Sequence, residues 1–279
     1  MERFAVRTMQ QSAARFGTCR GRSRPKNLGF LTALTAMALL FTQPLQSQVY
    51  KFGHCLLGCP QGAAPSNHTL VRSIYTLSFN TTTKTADWVA YQVTAGSIGI
   101  ASSLSRELVP DDFVADTLEI ADFFAIQERG LVRAQYAPLV SFAATPYWPE
   151  VNYSTNAVVR TSSLSQGAWY GLDWAVRNLV NREAAVYVVT GPVFYPEAEP
   201  RTLVTDKQHR IPDGFFKVVL TREGRAAAFL FPQDTAVHVH HCDLRSSLTE
   251  IEGLTGLELF PDGKSRLELS LYSALGCSA

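Results

Sequence analysis

Val132-Arg133-Ala134-Gln135-Tyr136-Ala137-Pro138-Leu139 is the stretch on which the reading of this chain turns. We read it as a strand that Leu139 to Phe142 continues. Two further stretches follow it, Asn152-Tyr153-Ser154-Thr155-Asn156 and Leu164-Ser165-Gln166-Gly167-Ala168-Trp169. Ser163 or Ser165 can cap a helix running to about Arg182, because a serine hydroxyl satisfies an otherwise unpaired N–H of the first turn. Trp169, Leu172, Ala175, Val176 and Leu179 form its apolar stripe.

Outward from this core, the pattern is mixed. Leu70 to Phe79 and Trp88 to Thr94 are rich in β-branched and aromatic residues and are separated by polar Asn80 to Lys84, which predicts two neighbouring strands. Residues 95 to 130 read as loops with one short helix. Ala185 to Thr190 reads as a buried strand closed by a turn at Gly191-Pro192. Phe215 to Leu220 and Ala226 to Phe231 predict another strand pair, and Thr249 to Gly253 a last short helix. With no internal repeat and no linker after Gln48, one α+β domain over residues 48–279 is the economical organisation.

The chain has 279 residues, 46% hydrophobic and 18% charged, enough to bury a sizeable core. Seven of its 25 basic residues (Arg3, Arg7, Arg15, Arg20, Arg22, Arg24 and Lys26) precede Gln48, with one acid, Glu2. The rest holds 18 basic against 23 acidic residues, a net charge of about −5, which excludes a protein held to nucleic acid by bulk charge alone. The basic lead, the apolar run Leu28 to Phe41 and the polar stretch to Gln48 follow the order of a secretory signal. Residues 1–47 are therefore read as a targeting segment, with an uncleaved anchor as the rival, and the mature protein as secreted or periplasmic.

Cys55, Cys59, Cys242 and Cys277 remain after the leader, an even number suited to an oxidising compartment. Four cysteines allow three pairings. The simplest joins Cys55 to Cys59 and Cys242 to Cys277; a four-cysteine zinc site is the rival, although only one close pair exists. The run His238-Val239-His240-His241 reads as an exposed strand with His238 and His240 on one face, a spacing that can also bind a transition metal. Asn67-His68-Thr69, Asn80-Thr81-Thr82 and Asn152-Tyr153-Ser154 are glycosylation sequons.

The phrases Thr82 to Tyr91, Ala137-Pro138-Leu139-Val140-Ser141-Phe142, Val188-Val189-Thr190-Gly191-Pro192, His209-Arg210-Ile211-Pro212 and Ala227 to Phe231 occur in an order and spacing that carry a resemblance. From Cys55 to Cys277 the chain resembles the DNA/RNA non-specific endonucleases, secreted nucleases of the ββα-metal class. The resemblance implies an α+β fold, a central antiparallel sheet flanked by helices, and nucleic acid as the partner. It also implies single-metal phosphodiester hydrolysis. A histidine in Asp-Arg-Gly-His serves as general base, an asparagine holds a hydrated Mg²⁺, arginines clamp the phosphate, and a carboxylate on the following helix orders metal-bound water.

Carried over position by position, Asp-Arg-Gly-His falls on Val132, Arg133, Ala134 and Gln135. The metal asparagine falls on Ser165, an upstream asparagine on Asn156, and the helical carboxylate on Asp173. An earlier clamping arginine falls near Leu104, with Arg106 close by. The alternative register Glu128-Arg129-Gly130-Leu131 also lacks the histidine and breaks the Ala137-Pro138-Leu139 match. Gln135 has no useful basicity near neutral pH, and Ser165 offers Mg²⁺ only a neutral hydroxyl. The expectation is a family member with lost or impaired catalysis, whose cleft binds nucleic acid or a protein partner. The alternatives are an active nuclease with a rearranged site and a secreted binding module.

Overall fold

In the computed structural model, residues 53–278 are described, apart from 116, 125, 127–129 and 206. The chain divides into two units, Met1–Ser47 and Gln48–Ala279, and every described residue belongs to the second. The targeting segment, and Glu128 and Arg129 of the alternative register, lie outside the described residues.

Seven strands form one antiparallel sheet in the order β1-β2-β3-β6-β7-β8-β9. They are β1 (His68–Val71), β2 (Tyr75–Asn80), β3 (Thr85–Val93), β6 (Val186–Val193), β7 (Gly214–Thr221), β8 (Ala226–Pro232) and β9 (Arg245–Ser246). β4 (Leu131–Gln135) and β5 (Ala157–Thr161) form a separate antiparallel ladder that pairs Gln135 with Ala157 and Arg133 with Val159. Among the described residues, three α-helices accompany them: α1 (Ser162–Gln166), α2 (Ala168–Leu179) and α3 (Leu248–Thr255).

The large sheet is covered on both faces, which is why its central strands are apolar at nearly every position. Side chains alternate between faces along a strand, and β7 shows the consequence. Phe215 and Val219 belong to the core under α2, with Trp169, Leu172 and Val176. Phe216, Val218 and Leu220 belong to the opposite core with Leu248 and Ile251 of α3. Lys217 shares the parity of Phe215 and Val219 and meets α2 instead of solvent.

Four local expectations are corrected. The strand at 132–139 stops at Gln135, and Leu139–Ser141 is a 3-10 turn, since Pro138 supplies no N–H to continue a ladder. Thr161, not Ser163 or Ser165, caps the helix; its hydroxyl accepts from the Leu164 N–H. That helix breaks at Gly167, where a Cβ would lie 2.5 Å from the Val237 carbonyl oxygen and 2.9 Å from that of Ser163. α1 and α2 are therefore two pieces, separated where another loop presses on the backbone.

The third correction is that β6 runs through Gly191-Pro192 rather than turning there. β3 pairs only with residues 186–190, so Pro192 faces no partner on that side, while β7 pairs with the full strand. Gly191 leaves room for the Asp87 carbonyl oxygen, which a Cβ would approach to 2.3 Å. Fourth, His238-Val239-His240 is turn and loop leading into the 3-10 segment His241–Leu244, not a strand. There the Asp243 carboxylate accepts from the His240 N–H and folds the backbone back on itself.

Cys55–Cys59 and Cys242–Cys277 are both disulfides, the simplest of the three pairings. The second anchors the C-terminal segment whose Leu271 and Leu275 enter the core below α2. Loop closure over 35 residues of separation constrains the unfolded chain by about 4 kcal/mol, and the short Cys55–Cys59 loop by about 2. No helix among the described residues is long and apolar enough to cross a membrane.

Candidate active site

The β4–β5 ladder and the helix pair that follows it enclose a cleft of about 310 Å³. Arg106, Arg133, Gln135, Arg160, Ser165, Tyr170, Asp173 and Arg177 all line it. The positions singled out in the sequence therefore converge on one place, apart from Asn156.

Gln135, at the end of β4, is held by its own amide. Its Nε2 donates to the Val151 carbonyl and to Asn152 Oδ1, both at 3.1 Å. Asn152 in turn donates to the Ser105 carbonyl at 2.9 Å. The side chain is thus committed as a donor to the loop behind the cleft, and an amide has no proton-accepting nitrogen to offer water. Asn156 is fully buried, and its Oδ1 accepts from the Ala137 N–H at 2.9 Å while its Nδ2 donates to the Ala137 and Val151 carbonyls. It bridges the two ends of the loop between β4 and β5, and each of its polar atoms is spent on backbone.

Asp173 faces inward from α2 and is ion-paired with Lys217 of β7, whose side chain is fully buried. Burial lowers the Lys217 ammonium to about 8, against the opposing attraction of Asp173. Arg160, from β5, is also buried, and desolvation brings its guanidinium down to about 10 despite Asp173 nearby. Both cations rest on Trp169: the Arg160 guanidinium carbon lies 3.6 Å and Lys217 Nζ 3.7 Å from its ring centroid. Arg160 also donates to the Gln135 carbonyl at 3.3 Å, tying β5 to the end of β4. Nearer the surface, Arg133 donates to the Arg106 carbonyl and sits 6.0 Å from the Phe123 ring. Partial burial lowers its guanidinium.

Ser165 differs from its neighbours: its Oγ is shielded and has no hydrogen-bond partner among the described residues. A hydrated divalent ion needs several oxygen donors and a compensating negative charge. The cleft offers this shielded neutral hydroxyl, the neutral oxygens of Gln135 and Tyr170, a carboxylate already paired with Lys217, and four lining arginines whose charge opposes a cation. Such a donor set does not fit a hydrated Mg²⁺. The group it suits is an anion.

Sequence reasoning missed Asn152, Arg160 and Lys217. The two cations were visible as charges inside apolar strand runs, Val158-Val159-Arg160 and Phe215-Phe216-Lys217-Val218-Val219. A charge placed so is seldom buried without a partner. Elsewhere, ligand atoms of His240, His241 and Cys242 come within 4.8 Å of one another. Cys242 Sγ is bonded to Cys277, however, and His240 Nδ1 accepts from the Cys242 N–H.

An antiparallel ladder, a helix at its exit and a central antiparallel sheet define the ββα nuclease class of fold. Comparison with known proteins agrees. Residues 58–266 match the family described as DNA/RNA non-specific endonuclease. A nuclease of Serratia marcescens is 36% identical over 251 residues, covering 87% of this chain and 94% of the relative. Bovine mitochondrial endonuclease G is 27% identical over 211 residues, 68% of each chain. Among solved structures, the EndoG/EndoGI complex superposes with a TM-score of 0.64 at 19% identity, covering 72% of this chain and 89% of that one. The chain belongs to the DNA/RNA non-specific endonuclease family.

Proposed function

We propose that this protein is an exported member of the family in which phosphodiester hydrolysis is lost or impaired, and whose cleft retains contact with the phosphates of nucleic acid. The observation that carries the reading is the state of Gln135, an amide without basicity, held as a donor to Val151 and Asn152 where the resemblance puts the general base. The commitment of Asp173 to Lys217 supports it. A rearranged site with a displaced histidine is disfavoured, because none of His54, His68, His209, His238, His240 and His241 lines the cleft. Phosphate contact is supported by Arg106, Arg133 and Arg177, which line the cleft beside a carboxylate already paired with Lys217. Export is supported by the basic-apolar-polar leader and by two disulfides.

The test is digestion of plasmid DNA and of RNA by the purified protein with Mg²⁺ or Mn²⁺, beside the Gln135→His/Ser165→Asn double variant. The expected result is weak or no cleavage by the wild type and cleavage by the double variant. Robust, chelator-sensitive cleavage by the wild type overturns the loss of catalysis. DNA binding that weakens steeply with salt separates phosphate contact from a protein partner.

A further inference from the structure

α2 carries a feature that catalysis does not use. Its inner face holds Trp169, Leu172, Asp173 and Val176, all buried. Its outer face carries Tyr170, 56% exposed, and Trp174, 58% exposed. Four residues apart, they are neighbours on the helix surface, with Cβ atoms about 6 Å apart. Tyr170 itself lines the cationic cleft. One turn beyond Trp174, the Arg177 guanidinium lies 5.9 Å from the Tyr170 ring centroid and lines the same cleft. The two rings and the arginine thus make one surface beside Arg106 and Arg133.

A pair of half-exposed rings beside a cationic groove is the arrangement that holds single-stranded nucleic acid. The groove follows the backbone, and each ring offers its face to an unpaired base. A duplex keeps its bases stacked on one another and cannot present them to a helix surface without unpairing. Charge complementarity selects the occupant: apolar rings alone would suit a protein, but rings flanked by a cluster of arginines suit a polyanion with aromatic faces.

We propose that Tyr170 and Trp174, with Arg177 between them and the cleft, form a base-stacking platform that gives this protein a preference for single-stranded nucleic acid. The proposal rests on the nucleic-acid reading above and specifies its substrate class.

The experiment is fluorescence anisotropy of the whole protein with three labelled probes: a dT 12-mer, an abasic 12-mer of the same charge, and a 12-base-pair duplex. The wild type is expected to bind the dT strand more tightly than the abasic strand or the duplex. Tyr170→Ala and Trp174→Ala should each weaken dT binding by between about 5- and 150-fold, leave the abasic strand unaffected, and keep the wild-type circular dichroism. Trp174→Phe should restore most of the loss. Equal binding of the dT and abasic strands by the wild type keeps the phosphate-contact reading and overturns the platform. Absence of binding to all three probes overturns both. A wild-type dimer in sedimentation that Trp174→Ala dissociates, with dT affinity unchanged, assigns the face to a second copy and overturns the platform.

Discussion

The seven-stranded sheet and the β4–β5 cleft are built on opposite terms. In the sheet, burial is shared among dozens of apolar side chains on two faces, so no single residue carries the architecture. In the cleft, individual polar atoms decide everything: one amide at Gln135, one hydroxyl at Ser165, one carboxylate at Asp173. A family frame can therefore be kept while its chemistry changes, because apolar packing tolerates substitution of similar volume and proton transfer does not.

The largest expected effect lies in the cleft. On the proposed reading of the cleft, Gln135→His with Ser165→Asn should raise nuclease turnover by about 10²- to 10⁴-fold, measured as initial rates on plasmid DNA. Its thermal midpoint should stay near that of the wild type, since neither change touches the sheet. A revertant that remains inactive while folded would place the block elsewhere, most directly at the Asp173–Lys217 pair.

That pair is also where cleft and frame meet. Asp173→Asn leaves Lys217 and Arg160 buried beside each other without a carboxylate, and should destabilise the protein by about 3–5 kcal/mol in urea unfolding. Adding Lys217→Met should recover much of that loss, and a double-mutant cycle reads the coupling. Additive effects would show that the pair contributes nothing jointly. In the frame, by contrast, Leu220→Met, also fully buried, should cost less than about 1.5 kcal/mol.

The remaining effects are those of pH. Lys217 sits near 8 in the folded protein and at its ordinary 10.5 when unfolded, so between these values the unfolded chain binds more protons. Stability should therefore gain a contribution that rises with pH across that window, and Lys217→Met should remove it. Burial also lowers His209 and His241 below 6.5. Each resists protonation only when folded, so stability should fall as pH drops through and below 6.5. His241→Gln should flatten that decline in thermal scans from pH 7 to 5.

Much of the frame was legible in the chain. β2, β3, β7 and β8 stood out as apolar, β-branched and aromatic runs, and the stripe Trp169, Leu172, Ala175, Val176, Leu179 marked α2. The misread places are those where a distant backbone intervenes. Gly167 breaks a helix because Val237 presses on it, and Gly191-Pro192 stays in a strand because its pairing with β3 has already ended while that with β7 continues. Local propensity carries no information about either neighbour. The His238–His240 segment was misread for a related reason: alternation alone cannot tell a strand from a loop that Asp243 folds back.

By itself, the sequence determined the family frame, the cysteines available for two disulfides, and that positions 135 and 165 carry an amide and a hydroxyl, because residue identity is chemistry that no fold can change. The tertiary structure alone decided what the surviving groups are doing. Asp173 is spent on a lysine 44 residues away, Asn156 on backbone, and Arg160 on the face of Trp169. Partners distant in the chain meet only once the sheet has formed, and burial then makes each unpaired charge too costly to leave free.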